Sequence, residues 1–171
     1  MLLYEFQIKE ILNFWFPNDE YNKFWFDRSE SVDKIITERF SGLLKETYQK
    51  LISMDLNELL DMNYFELLAV IILLDQFSRN INRTVHVDVK SYTYKARKIS
   101  YVLINNKYFL HDTIGHIIFI LMPLRHMNEL KDYELILDIL NKLNAYKGNK
   151  IYDKFRMQTV LRYNVLVKIA G

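Results

Sequence analysis

The densest set of reactive side chains is the run Asp75-Gln76-Phe77-Ser78-Arg79-Asn80-Ile81-Asn82-Arg83. Asp75 and Arg79 stand four residues apart, as do Gln76 and Asn80, and Arg79 and Arg83. Continued helical geometry brings each pair within side-chain reach. Two guanidiniums with neighbouring amides form a donor-rich patch suited to a carboxylate or phosphate, because the planar fork donates two parallel hydrogen bonds. The plainer and commoner role is structural. Asp75 and Arg79 then form a partly buried ion pair that closes a helix, since buried charges normally persist only when paired.

His126 is the best-placed side chain for general acid or base work, because an imidazole titrates nearest neutrality. A lone His after Pro123 is more often a hydrogen-bonded structural residue. His126, Glu129 and Asp132 lie at three-residue intervals, and such an oxygen-rich set can hold magnesium or manganese. Acids at that spacing are also ordinary surface residues, so no metal and no cofactor is assigned. His111 and His116 are five apart and are not the paired helical ligands of a zincin. The sequence shows no Gly-rich phosphate loop, nucleophile elbow or dinucleotide fingerprint. It has no cysteine, which excludes disulfides, thiolate metal sites and cysteine nucleophiles together.

The elements that must position these residues are helices. The 171 residues include only four Gly and two Pro, where average usage predicts roughly twenty such breakers and a sheet protein needs them at its turns. Half the residues are hydrophobic and 15% are aromatic, enough for a substantial core in a single domain spanning residues 1–171. Apolar spacing predicts a first helix over residues 5–16, stopped at Pro17. Ser29 or Ser31 caps a long second helix whose apolar stripe is Val32, Ile35, Ile36, Phe40, Leu43, Leu44, Tyr48, Leu51 and Ile52, with Asp33 on the opposite, polar face. Residues 55–62 read as a turn or short helix. Asn63 and Glu66 make a capping-box-like start for a third helix over residues 64–78. Residues 67–74 are apolar on every side, so this helix is expected to be central and buried. Further helices are expected over residues 88–104 and over 113–121 before Pro123, then from Asn128 towards Gly148, and over 151–167.

Charge and hydropathy narrow the partners. Lys plus Arg total 23 and Asp plus Glu 21, a balance of +2 that implies no nucleic-acid or membrane surface by itself. Basic residues interleaved with tyrosine over residues 90–98 fit a solvated helix face better than a nucleic-acid contact. The longest apolar run is far too short to cross a bilayer, and the amino terminus lacks secretory features, so a cytoplasmic location is expected. Phe14-Trp15-Phe16 and Phe24-Trp25-Phe26 can line a groove, though core packing is the commoner use of such aromatic groups.

The string Leu73-Leu74-Asp75-Gln76-Phe77-Ser78-Arg79-Asn80-Ile81-Asn82-Arg83 resembles the signature of the bacterial domain of unknown function 924 family, with Ser78 in place of a Pro. Leu12-Asn13-Phe14-Trp15-Phe16 resembles the opening motif of that family, Phe24-Trp25-Phe26 its second aromatic element, and Asp33 with Phe40 its next block. Met122-Pro123-Leu124-Arg125-His126-Met127-Asn128-Glu129 resembles a further block. There Arg125 replaces an acid, Asn128 replaces a Glu, and Glu129 can stand in one position later. Residues 160–164 are only faintly similar to the family's closing motif. The resemblance implies antiparallel helix pairs in a tetratricopeptide-like right-handed array around the central helix. It also implies that Asp75, Gln76, Arg79, Asn80, Arg83 and His126 share one site, and it carries no established activity. The expected function is therefore a helical scaffold that binds a protein segment or small anionic ligand in a groove near Arg79 and Arg83. The alternative is an enzyme of hydrolase or transferase type, with His126 as acid or base on an anionic substrate.

Overall fold

Polar side chains at helix starts set most of the boundaries in the computed structural model, which describes residues 1–171. Helix α1 (Glu5–Trp15) buries Ile11 and Trp15 and ends just before Pro17. Ser29 accepts the Val32 amide at 3.4 Å to start α2 (Glu30–Ile52). The short α3 (Leu56–Leu60) opens with a reciprocal capping box between Asp55 and Glu58. Asn63 caps α4 (Tyr64–Ile71) through the Phe65 and Glu66 amides. Glu66 does not complete a capping box there; its carboxylate instead accepts the Leu2 and Leu3 amides at 2.6 and 3.0 Å, which anchors the amino-terminal segment.

Helix α4 does not stop at Ser78. It passes through a π-helical turn over Ile72–Phe77 into α5 (Ser78–Asn82), so one rod runs from residue 64 to 82. Residues 67–74 of that rod are at most 2% exposed. All-round burial matches their all-round apolar character. The rod packs against α1, α2, α6 (Val89–Ile104, capped by Asp88) and α7 (Ile114–His126, capped by Thr113). Helices α8 (Leu130–Lys142) and α9 (Lys150–Ala170, capped by Asn149) complete the stack, α8 lying on α7 and α9 on both. One apolar cluster of 40 buried residues extends from Leu2 to Phe155. The chain has no β-strand, and no helix is long and apolar enough to cross a membrane.

Three further features differ from the sequence expectation. Pro123 does not end its helix; α7 continues through it to His126. Residues 117–124 are buried on all sides, and that packing offsets the hydrogen bond a proline removes. Helix α8 starts after Glu129 because Asn128 adopts a left-handed backbone, φ 56°, that terminates α7. On α2, Ile35 and Ile52 of the expected stripe are exposed, whereas Asp33 of the expected polar face is buried. Gly148, at φ 92°, makes the turn into α9 that a side chain would strain.

A buried ionic cluster fastens α6 to α8. Arg97 donates from Nε to Asp132 at 2.7 Å and from Nη2 to Asp132 and Glu129 at 3.0 and 2.9 Å, while Tyr101 donates to Asp132 as well. The second half of α9 is different. No residue after Thr159 is buried, and Leu161, Val165 and Ile169 are exposed at four-residue intervals.

Candidate functional site

A π turn holds one residue more than the α turn it replaces and is frequent where a helix carries a functional group. In this chain it carries Asp75 and Gln76. Asp75 is fully buried, and its carboxylate accepts from Gln76 Nε2 at 2.7 Å, from Thr93 Oγ1 at 3.0 Å and from Arg79 Nη2 at 3.5 Å. His126 Nδ1 lies 3.0 Å from both carboxylate oxygens. Burial alone would raise this carboxyl, but His126, Arg79 and Thr93 outweigh it and hold Asp75 below the usual aspartate range. Such a carboxylate fixes the imidazole through Nδ1 and leaves Nε2 as the nitrogen available to a ligand.

A second carboxylate has the same role further along the rod. Asp33, 2% exposed on α2, accepts from Asn80 Nδ2 at 2.7 Å and from Arg83 Nη1 at 2.9 Å. Asp75 and Asp33 thus orient the two arginines from within the protein.

These groups surround a cleft of about 280 Å³. The π turn and the segment that follows it supply Gln76, Arg79, Asn80 and Arg83. Helix α7 supplies Met122, Arg125 and His126, which its passage through Pro123 makes possible. Trp15 and the aromatic residues Phe24, Trp25 and Phe26 form an apolar wall beside Asp27. Lys154 and Gln158 come from α9. Asp27 is the only acid among the lining residues, against Arg79, Arg83, Arg125 and Lys154.

The four cations are not equivalent. Arg79 and Arg83 have Asp75 and Asp33 as partners. Arg125 donates only to Gln158 Oε1, at 3.0 Å, and its guanidinium lies 4.8 Å from the Phe155 ring centre. Lys154 donates to the Tyr21 hydroxyl at 3.2 Å and sits 4.7 Å from the Phe26 ring centre. Neither has a carboxylate partner. Burial and the neighbouring Arg79 pull the Arg125 guanidinium below its ordinary value, opposed by Tyr133 and Asp75. It remains charged, as arginine does in proteins.

Residues 11–167 match the family described as a bacterial protein of unknown function (DUF924). The chain belongs to this family. No curated protein and no solved structure matches it.

In this DUF924 chain, Gln76, Arg79, Asn80, Arg83 and His126 all line the one cleft. Asp75 does not. It stands behind the lining and reaches it only through its bonds to His126, Gln76 and Arg79. Gln76 and Asn80 do not bond to each other; each turns to its own aspartate. The possible metal trio is split, because Glu129 and Asp132 are held by Arg97 while His126 faces Asp75. Glu129 therefore does not enter the cleft, and Asn128 turns instead to Arg162. The aromatic groups do both jobs at once: Trp15 is buried against Phe77 and Phe119, and it also lines the cleft. Lys154, Gln158 and Asp33 are additions from the fold. Lys154 and Gln158 carry only their four-residue spacing as a signal, and Asp33 only its place in a family block.

Proposed function

We propose that the cleft binds a small anionic ligand. The observation that carries this reading is that Arg125 and Lys154 enter it without carboxylate partners, beside Arg79 and Arg83, which are oriented by buried aspartates. Unneutralised cations in a partly buried cleft bind an anion through charge-assisted hydrogen bonds. The volume of about 280 Å³ lies near the lower limit for small-molecule sites, which favours a compact ligand over a protein segment. Packing of α6 on α7, α7 on α8 and α8 on α9 supports a tetratricopeptide-like stacking as the scaffold of that site. The test is a thermal-shift and calorimetric titration with inorganic phosphate, acetate and citrate. A saturable rise in Tm that is lost in Arg125→Gln supports the reading, and no response to any of the three overturns it.

A second reading rests on the Asp75–His126 pair. A carboxylate that fixes Nδ1 and leaves Nε2 to the cleft is the arrangement of a general base. On this reading the chain is a hydrolase or transferase acting on an anionic substrate. Turnover of phosphate or carboxylate esters that disappears in His126→Ala, while the anion-induced Tm rise persists, would support the enzyme.

A further inference from the structure

Three buried side-chain atoms in the chain have no hydrogen-bond partner: Trp15 Nε1, Arg79 Nε and Thr47 Oγ1. Buried donors in native structures are nearly always paired, so each orphan calls for an acceptor. Thr47 does not line the cleft. Trp15 and Arg79 both do, and Trp15 is 1% exposed. The contrast with the other tryptophan is direct, because Trp25 Nε1 donates to the Trp15 carbonyl oxygen at 2.8 Å.

Both orphans of the cleft are N–H groups that cannot accept a hydrogen bond. Their complement is an acceptor oxygen, and beside Arg125 and Lys154, which have no carboxylate partner, an ionised carboxylate or phosphate is the acceptor that also answers the charge. Arg79 bonds to Asp75 and Thr93 through Nη2, which fixes the plane of the guanidinium.

Resting on the anion-binding reading above, we propose that the ligand's charged group is an oxyanion in the cleft that accepts hydrogen bonds from Trp15 Nε1 and Arg79 Nε. Trp15 is then a specificity-determining binding residue as well as a core residue. Its neutral, rigid donor adds direction where the surrounding cations add charge. Arg125 and Lys154 are left for the remainder of the ligand or for the outer oxygens of the same group.

The chain holds two tryptophans, so nuclear magnetic resonance of the ¹⁵N-labelled protein gives two indole N–H signals, and Trp15→Phe assigns them. Inorganic phosphate and acetate are titrated separately. The expected result is saturable movement of the Trp15 signal, with the midpoint of the Tm rise, while the Trp25 signal stays in place. The stronger of the two probes identifies the oxyanion. Arg79→Lys keeps the charge but removes Nε, and it should weaken binding roughly tenfold, the loss of one charge-assisted hydrogen bond. Because Trp15→Phe also removes packing, its binding constant is compared at a temperature where circular dichroism shows it folded. A Tm rise with a stationary Trp15 signal and undiminished binding in Trp15→Phe would overturn the proposal while leaving anion binding intact. No response to either probe removes both.

Discussion

Asp75 is buried among four donors, and its charge is the reason they converge. Asp75→Asn keeps the shape but leaves Arg79 and His126 without their counterion, and truncating one side of a buried pair costs about 3–5 kcal/mol. Its folded carboxyl titrates below the usual aspartate range, near 4 in an unfolded chain. The folded state therefore favours the carboxylate. The stability this provides is complete above the unfolded value and is lost as pH falls through the lower folded one. Tm measured against pH should show a wide gap between the parent and Asp75→Asn at pH 7 that narrows below about pH 4. A constant gap would mean that the charge contributes nothing. At this scale the string from Asp75 to Arg83 was legible, because helical spacing brings those residues together without any knowledge of the fold. Asp33 was not, since one acid on an otherwise polar helix face gives no sign that Asn80 and Arg83 will bury it.

Helix ends decide which side chains reach the cleft. Asn128 stops α7 with a left-handed backbone that costs an ordinary residue about 1 kcal/mol and glycine almost nothing. Its side chain also accepts from Arg162 Nε at 2.9 Å. Asn128→Ala should be less stable than Asn128→Gly by about 1 kcal/mol in urea unfolding, which separates backbone strain from the lost side chain. If the two variants unfold alike, strain is not what sets the corner. The α6–α8 connection carries a larger cost. Arg97→Leu leaves Asp132 buried without its cation and should lose about 3–5 kcal/mol, whereas Lys142→Leu, on the exposed pair with Asp138, should change stability by less than about 1 kcal/mol. Caps at Ser29 and Asn63 were readable because one side-chain oxygen and one amide suffice. The passage of α7 through Pro123 was not, because it depends on burial of residues 117–124 by other helices, and the π turn has no local composition that marks it.

Five separate stretches of the chain build the cleft: the end of α1, the residues around Trp25, the rod, α7 and α9. A ligand that touches all five ties them together, so its binding free energy stabilises the entire fold. At one hundred times its dissociation constant, an anion should add about 2.7 kcal/mol to unfolding stability. Hydrogen exchange should show the gain as extra protection at Lys23–Trp25 and in the first half of α9, and none after Thr159, where no residue is buried. Uniform protection along α9 would contradict this. The all-helical class and the central helix were legible from scarce Gly and Pro and from one run apolar on every side. The meeting of α9 with the rod was not, since Lys154 and Arg79 are far apart in sequence and nothing local links them. The π turn at the middle of the rod has a genetic consequence. A π turn absorbs its extra residue, so loss of a single codon within residues 72–77 would let the rod close into regular α-helix with its two halves facing nearly as before. Such an in-frame deletion would keep the register of the flanking halves while removing the extra residue that sets Asp75 and Gln76 against Thr93, Arg79 and His126, so it would cost the site more than the helix.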